Sequence, residues 1–360
     1  MEIGLQSFLL KSKKTIQFDK MKILVVGPKH SLSSANACAA EFRRQGCYVR
    51  QFDNKPRLPA LGKYRQGGKY LVHRALYNKI INRSFYQVCA QYKPDLIFTQ
   101  KAENISAQVI RDVKQDFGAC YALWYGDNPF FDEISSWHVI RSLRVCDICY
   151  SWGEFMIETL LSAGCRTVKH LPFAFDPIGH NPDIEIAANG ESAFKADLSF
   201  VGSWDKEREA ILESLVDFDL AIYGQRWREK VKPSSPLFSK IRRDSVWGED
   251  FVKCFKGSRV VLNLMRNFNM PSHNFRTMEA TGIGGGVLLT PKTREQVDLL
   301  FKEDEHIFCY ENVNELSFKI NSLLKKSHAQ LTKVGSAAQK HVFSNHLLKH
   351  RLRIIINDFS

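Results

Sequence analysis

The sequence predicts an α/β chain of two parallel-sheet domains, and three observations carry that reading. Short apolar strands alternate with helical stretches in both halves. The alternation restarts near Asp197. A stretch rich in Pro, Asn, Gly and acidic residues, 177–193, separates the two cycles. The length agrees, because 360 residues are too many for one ordinary core and suggest about two domains of ~150 residues.

In the first cycle, residues 21–27 (MKILVVG) read as a continuous apolar strand ending in Gly-Pro. Residues 34–45 read as a helix that Gly46 stops, and residues 48–52 as a second strand. Strands follow at 96–99, 121–125 and 148–152, with a helix over 105–117. The second cycle has strands at 198–202, 220–224 and 260–265 and a helix over 206–215. The pattern divides the chain into an extension, 1–20, a first Rossmann-like domain, 21–180, a second, 194–340, and a closing segment, 341–360. Ligands of such halves bind where the C-terminal ends of the strands line the cleft between them.

Composition narrows the function classes. With 44% hydrophobic, 12% aromatic and 25% charged residues, the chain has the material for packed cores and none of the bias of a disordered protein. No apolar run approaches the ~18 residues that span a bilayer, and the patch at 3–10 is too short and lacks a cleavage site, so a cytoplasmic protein is expected. Nine unclustered cysteines, an odd number, fit reduced core thiols better than a disulfide framework.

The net charge of +13 is unevenly spread. Between Asn54 and Pro94 there is no acid, whereas Lys55, Arg57, Lys63, Arg65, Lys69, Arg74, Lys79, Arg83 and Lys93 are all basic. A helix is expected over about 69–86, with Leu71, Leu76, Tyr77 and Ile80 near the 3.6-residue period and bases between them. This window, 54–94, is either a solvated face covering the core or a docking site for an anionic membrane surface, a phosphorylated acceptor or nucleic acid. On the membrane reading the protein is peripheral on the inner face. Nucleic acid is disfavoured because no recognisable reading motif accompanies the charge.

The strongest motif is residues 274–290, NFRTMEATGIGGGVLLT: a helix beginning near Phe275, broken by glycines, then a buried strand. A helix N-terminus offers backbone N–H groups and a favourable dipole to a diphosphate. Arg276 adds a bidentate charge, and Glu279, one turn on, accepts hydrogen bonds from ribose hydroxyls.

These residues, with FVGSWDKERE from Phe200, Ile222-Tyr223-Gly224-Gln225-Arg226-Trp227, Leu262-Asn263-Leu264, Leu300-Phe301, His346 and Arg351, resemble the CgeB-type, group 1 glycosyltransferases of the GT-B fold. Lys93-Pro94-Asp95, the 124–129 segment and Leu171-Pro172-Phe173-Ala174 extend the resemblance over nearly the whole chain beyond Met21. It implies an acceptor-binding N-terminal domain, a nucleotide-sugar-binding C-terminal domain and a deep cleft between them. It also implies a C-terminal helix crossing back to the first domain. Gly202 and Ser203 would approach the donor phosphates, Arg276 would neutralise the diphosphate leaving group and Glu279 would hold the ribose. Related retaining enzymes carry two glutamates separated by seven residues. Glu279 matches the second, Pro271 stands at the place of the first, and His273 and Asn274 are the nearby substitutes.

The catalytic candidate in the N-terminal half is Asp127, which follows a strand and so reaches the cleft edge. A general base there would take the acceptor hydroxyl proton. The competing reading is an Asx turn ahead of Pro129. Glu103 and Asp132 are the alternatives on neighbouring loops. Cys146-x-x-Cys149 has metal or redox spacing but no second pair, so core thiols are favoured. Gly282 to Gly286 follows a helix instead of opening one, which disfavours nicotinamide chemistry. Trp204 and Trp227 read as packing residues. The expectation is a glycosyltransferase moving a sugar from a nucleotide-sugar donor to a glycan, lipid-linked or protein acceptor, with no metal or other cofactor. The rival is a sugar-nucleotide-binding protein without transfer activity. Sugar, base, acceptor and stereochemical outcome stay open at this point.

Overall fold

The computed structural model describes residues 21–31, 33–56, 68–101, 103–131, 137–186 and 192–360. The extension 1–20, Arg57, Lys63, Arg65 and Asp132 lie outside the described residues, as do the side chains of Lys69, Leu71 and Arg74.

The first sheet holds β1 (Lys22–Val26), β2 (Tyr48–Phe52), β3 (Leu96–Thr99), β4 (Cys120–Tyr125), β5 (Ile148–Ser151) and β6 (Val168–His170), ordered β2-β1-β3-β4-β5-β6. Helices α1 (Ser34–Arg44), α2 (Gly68–Tyr92), α3 (Ala107–Phe117), α4 (Trp137–Leu143) and α5 (Ile157–Ser162) connect them. The second sheet holds β7 (Ala196–Val201), β8 (Leu220–Tyr223), β9 (Ile241–Arg243), β10 (Ser258–Leu262), β11 (Val287–Pro291) and β12 (Phe308–Tyr310), ordered β12-β11-β10-β7-β8-β9. With it run α6 (Lys206–Glu213), α7 (Trp227–Lys230), α8 (Glu249–Lys256), α9 (Phe275–Ile283), α10 (Leu316–Leu324), α11 (His328–Asn345) and α12 (Leu348–Asp358). The named strand pairs are parallel. This is the two-sheet GT-B architecture that the resemblance implies.

Continuous apolar strands are required because both sheet faces are covered. In β1, Ile23 and Val25 pack with Phe42 of α1, while Leu24 and Val26 face the side of Ile81 and Phe85 of α2. The Ile23 side is also covered by α12, whose Leu348, Leu352 and Ile355 join the same core at helical spacing. Burial of this stripe carries the chain's end back across to the first domain. The closing segment is not one helix. A parallel bridge between Phe175 and Leu347 bends the chain between α11 and α12, with Phe175 N–H donating to His346 O at 2.8 Å and Leu348 N–H to Phe175 O at 2.9 Å.

Helix α2 departs from its sequence pattern. Its buried stripe is Ile81, Phe85 and Cys89, an i, i+4, i+8 set that meets Phe52 of β2, whereas Leu76 and Ile80 are 48% and 43% exposed. The reason is geometric: the helix crosses beside β2 and α3, which selects the face one step round from the stripe its N-terminal half advertises.

The topology fixes the site. Each sheet reverses strand order beside its first strand, at β1/β3 and at β7/β10, and such switch points open crevices at the strands' C-terminal ends.

Candidate active site

Two adjoining cavities occupy the crevice. One of about 390 Å³ is lined by Gly27, Lys55, Lys101, Asp127, Phe173 and Phe275 among others. The other, about 400 Å³, is lined by Asp176, His180, Trp247, Phe251, Arg276 and Glu279 among others. They share Ser33, Ser34, Gln100, Trp124 and Phe275, so they are compartments of one cleft, one carrying Asp127 and the other Arg276 and Glu279.

Asp127 sits two residues beyond β4, and its carboxylate pairs with Lys101. The Asx turn falls to its neighbour: Asn128 Oδ1 accepts from Phe130 N–H at 3.0 Å. Asp127 is therefore not consumed by the turn. Glu103 pairs with Lys55.

On the opposite wall, α9 begins at Asn274, whose side chain accepts from Thr277 N–H at 3.2 Å and caps the helix. The same amide exchanges hydrogen bonds with Asn263. Asn274 thus shapes the start of the helix that carries Arg276 and Glu279 into the second compartment. Arg276 and Glu279 form an ion pair one turn apart, and the guanidinium lies over the Phe251 and Phe255 rings at 5.0 and 5.1 Å. His180 Nε2 stands 4.0 Å from Glu279, and its buried Nδ1 has no hydrogen-bond partner among the described residues.

Gly202 and Ser203 end β7 on the same side but line neither cavity. Their loop is clamped: Trp227 Nε1–H donates to Gly202 O at 2.7 Å, and Arg208 donates to Ser203 O at 3.1 Å and to Leu264 O at 2.7 Å. Gly224 at φ +145° lies so close that any Cβ there would overlap the Gly202 carbonyl. Burial, and then the charges of Arg266 and Arg276, pull Arg208 down to about 10 against the opposing pull of Asp205. Three guanidiniums therefore share one neighbourhood, with Arg266 paired to Asp205 and Arg276 to Glu279.

His273, placed with the donor residues by sequence, is occupied elsewhere. It is fully buried, and its Nε2 accepts from Phe173 N–H at 3.1 Å, which leaves the proton on Nδ1, 3.0 Å from Glu295. Burial lowers its pKa, so the ring is neutral. Glu295 also accepts from His170 at 3.0 Å and from Glu154 N–H at 3.0 Å. Burial alone would raise this carboxyl, but hydrogen bonds from His170, His273 and Glu154 N–H hold it well below the usual carboxylate range. Because His170, Glu154 and Phe173 belong to the first domain and His273 and Glu295 to the second, this network joins the domains beneath the cleft. Phe173 stacked on Phe275 at 3.8 Å continues the join to the cavity wall.

A second join lies at the chain's return. Arg351 donates to Pro172 O at 2.8 Å and to His346 Nδ1 at 2.7 Å, and burial, then Arg351, push His346 down to about 3. With His273 and His346 both lowered, the unfolded chain takes up protons first as pH falls. Stability is full above the ordinary histidine value near 6.5 and is lost below it. Denaturant titrations should show His346 alone costing about 1 kcal/mol on going from neutral pH to about pH 5.5. Glu295, held low in the fold, adds to the loss once pH falls to the ordinary carboxylate value near 4.5 and below it. A flat stability profile between neutral pH and about pH 5.5 would refute the neutral, buried assignment of both rings.

The comparisons with known proteins bear on the fold. Residues 206–357 match a family model described as glycosyl transferase-like. No curated protein matches the sequence. Among solved structures, HepE of Anabaena, in complex with UDP and glucose, is similar at TM-score 0.64 and 12% identity over 94% of this chain and 99% of that one. Sucrose-phosphate synthase from Thermosynechococcus elongatus is similar at TM-score 0.68 and 13% identity, covering 94% and 98%. A glycosyltransferase from Rickettsia africae is similar at 0.64 and 13%, covering 95% and 98%. The chain has the GT-B fold.

Sequence reasoning missed Arg208, Arg266, His180, Trp247 and Glu295. Arg208 stands inside the FVGSWDKERE run, but no local signal marks it as clamping the loop after β7; the others lie in loops and a short helical segment without motif spacing.

Proposed function

We propose that the chain is a glycosyltransferase that moves a sugar from a nucleotide-sugar donor to a glycan, lipid-linked or protein acceptor. The observation that carries the reading is the single cleft with a carboxylate, Asp127, on one wall and the Arg276–Glu279 pair at a helix start on the other. The diphosphate lies across the start of α9, near Arg276 and toward the Gly202–Ser203 loop, where the neighbouring guanidiniums and the helix dipole oppose its charge. Ribose hydroxyls donate to Glu279, releasing it from Arg276. Asp127 accepts the acceptor's proton. The chain's own cations stabilise the leaving group, so no divalent ion enters the step. The match to a glycosyl transferase-like family over the second domain supports the donor side of this reading, as does the UDP and glucose held by HepE.

The test is a panel of nucleotide sugars scored by thermal shift and by slow release of nucleotide to water, with and without a metal chelator. A hit should stabilise the fold and be turned over with or without the chelator. Glu279→Ala should weaken that donor about ten-fold or more while the protein stays folded, because a charge-assisted hydrogen bond worth ~1.5 to 3 kcal/mol is lost. Unchanged affinity in the folded variant removes Glu279 from the site. A stabilising donor that is never turned over makes the protein a binder.

The acceptor side of the reading extends to a membrane surface. Leu76 and Ile80 stand exposed beside Lys79 and Arg83 on the outer face of α2, the arrangement of a helix that rests on anionic lipid. Replacing Lys79 and Arg83 with Gln should weaken sedimentation with anionic vesicles by about thirty-fold, at about 1 kcal/mol per charge, and leave donor binding unchanged. If the wild-type protein ignores such vesicles at low salt, the charge serves a soluble acceptor.

A further inference from the structure

Away from the cleft, the fold assembles a group that the sequence leaves scattered. Cys146 lies in the turn after α4, Cys149 in β5, and Cys165 between α5 and β6. Their sulfur atoms all lie within 4.8 Å of one another. All three are buried, at 3%, 0% and 5% exposure. The Cys146-x-x-Cys149 pair alone reads as core thiols, and Cys165 is the third donor that only the fold supplies.

We propose that Cys146, Cys149 and Cys165 form a binding site for a thiophilic d10 cation, Zn(II) or Cu(I). Metal–sulfur bonds of about 2.3 Å place tetrahedral thiolate sulfurs about 3.8 Å apart, so the observed spacing needs only a small contraction. The scaffold already holds the three in place. Cys149 is locked by the β5–β6 pairing with Val168, Cys165 N–H donates to Leu160 O at 3.1 Å, and Arg144 Nε donates to Ala163 O at 3.1 Å across the mouth. Arg144, Gly164 and Arg166, neighbours of these cysteines in sequence, are exposed, so the group lies close beneath the surface. Soft sulfur donors with no carboxylate in the set favour d10 cations over magnesium or calcium. Three thiolates complete the shell of Cu(I). Zn(II) takes water as a fourth donor, and the Leu143 carbonyl, which accepts from Cys146 S–H at 3.0 Å, loses that bond when the thiol ionises. Each thiol that ligates loses its proton to solvent. The ion would pin the start of β5 to the turn before β6, the strand whose last residue, His170, reaches Glu295 at the domain join.

The test uses reduced, chelator-stripped full-length protein titrated separately with Co(II), Zn(II) and, without oxygen, Cu(I). A single ion should bind per chain. Co(II) should develop sulfur-to-metal charge-transfer absorption, and, at a denaturant concentration where the buried thiols of the metal-free protein react, metal should protect these three cysteines, but not Cys47 or Cys120, from alkylation mapped by mass spectrometry. Cys165→Ser should weaken binding by at least about ten-fold, and Cys38→Ser should leave it unchanged. The alkylation map on wild-type protein keeps the proposal testable if the serine variants fold poorly. Zn(II) binding with a tetrahedral Co(II) spectrum selects the four-donor form, and Cu(I) binding without Zn(II) selects the three-donor form. Absence of binding with all three metals, alkylation indifferent to metal, or a disulfide among the three in freshly purified protein overturns it.

Discussion

Replacing Arg276 with alanine is expected to cut turnover by about two to three orders of magnitude while lowering donor affinity far less. The guanidinium stands in the first turn of α9, is largely shielded from solvent and rests on two phenylalanine rings, so its field at a nearby phosphate is weakly screened. Charge on a nucleoside diphosphate grows as the glycosidic bond breaks, and a cation at that place acts more on the transition state than on the bound donor. Arg276→Lys should recover only part of the loss, because an ammonium keeps the charge but not the planar fork. One complication is Glu279, which loses its partner in the variant. The double variant with Glu279→Ala separates the two effects, since residues in contact couple. Equal losses in affinity and turnover would confine Arg276 to ground-state binding.

Much of the fold is legible in the sequence because its inner strands are buried on both faces. KILVV, LIFT and LAIY cannot avoid being continuous apolar runs. The three-residue edge strands VKH and IRR carry no such signature, and only pairing with an existing neighbour makes them strands, whereas FCY is apolar and buried but too short to be marked alone. Helix α2 is visible as a helix, but which of its faces is buried depends on where β2 and α3 lie. The same division runs through the site. Arg276 and Glu279 announce themselves through one helix turn behind a capping Asn. The nearness of Arg208 to Arg266 and Arg276 arises between α6, the loop after β10 and α9, so no spacing reveals it. His273 neighbours the motif and reads as part of it, yet Glu295, 22 residues on, claims its proton. Burial decides that assignment, and burial belongs to the assembled pair of domains.

The two joins below the cleft bear on how the site works. Glu295 with its two histidines, and Arg351 with His346, tie segments 170–175 and 346–351 to the opposite domain. Gly282 lies against the Phe175 ring so closely that a Cβ would overlap it, which brings α9 onto the same segment. The walls bearing Asp127 and Arg276 are thus set by contacts that pass through one short stretch, 171–175.

Asp127→Asn is the second large expectation: turnover should fall by about two orders of magnitude or more, with donor affinity nearly intact. Asparagine keeps the size and the turn propensity of aspartate and removes only its ability to take a proton. Since Asn128 already makes the turn's side-chain hydrogen bond, the backbone from Gly126 to Phe130 has no reason to shift. The variant also frees Lys101, whose ammonium holds the carboxylate in the absence of an acceptor. An acceptor hydroxyl must compete with that ammonium for Asp127, so Lys101→Gln should change the KM for the acceptor and abolish less turnover than Asp127→Asn does. Activity near normal in Asp127→Asn returns the residue to a surface ion pair. Loss of turnover with loss of donor binding makes its role structural, because its compartment is not the one that holds Arg276 and Glu279.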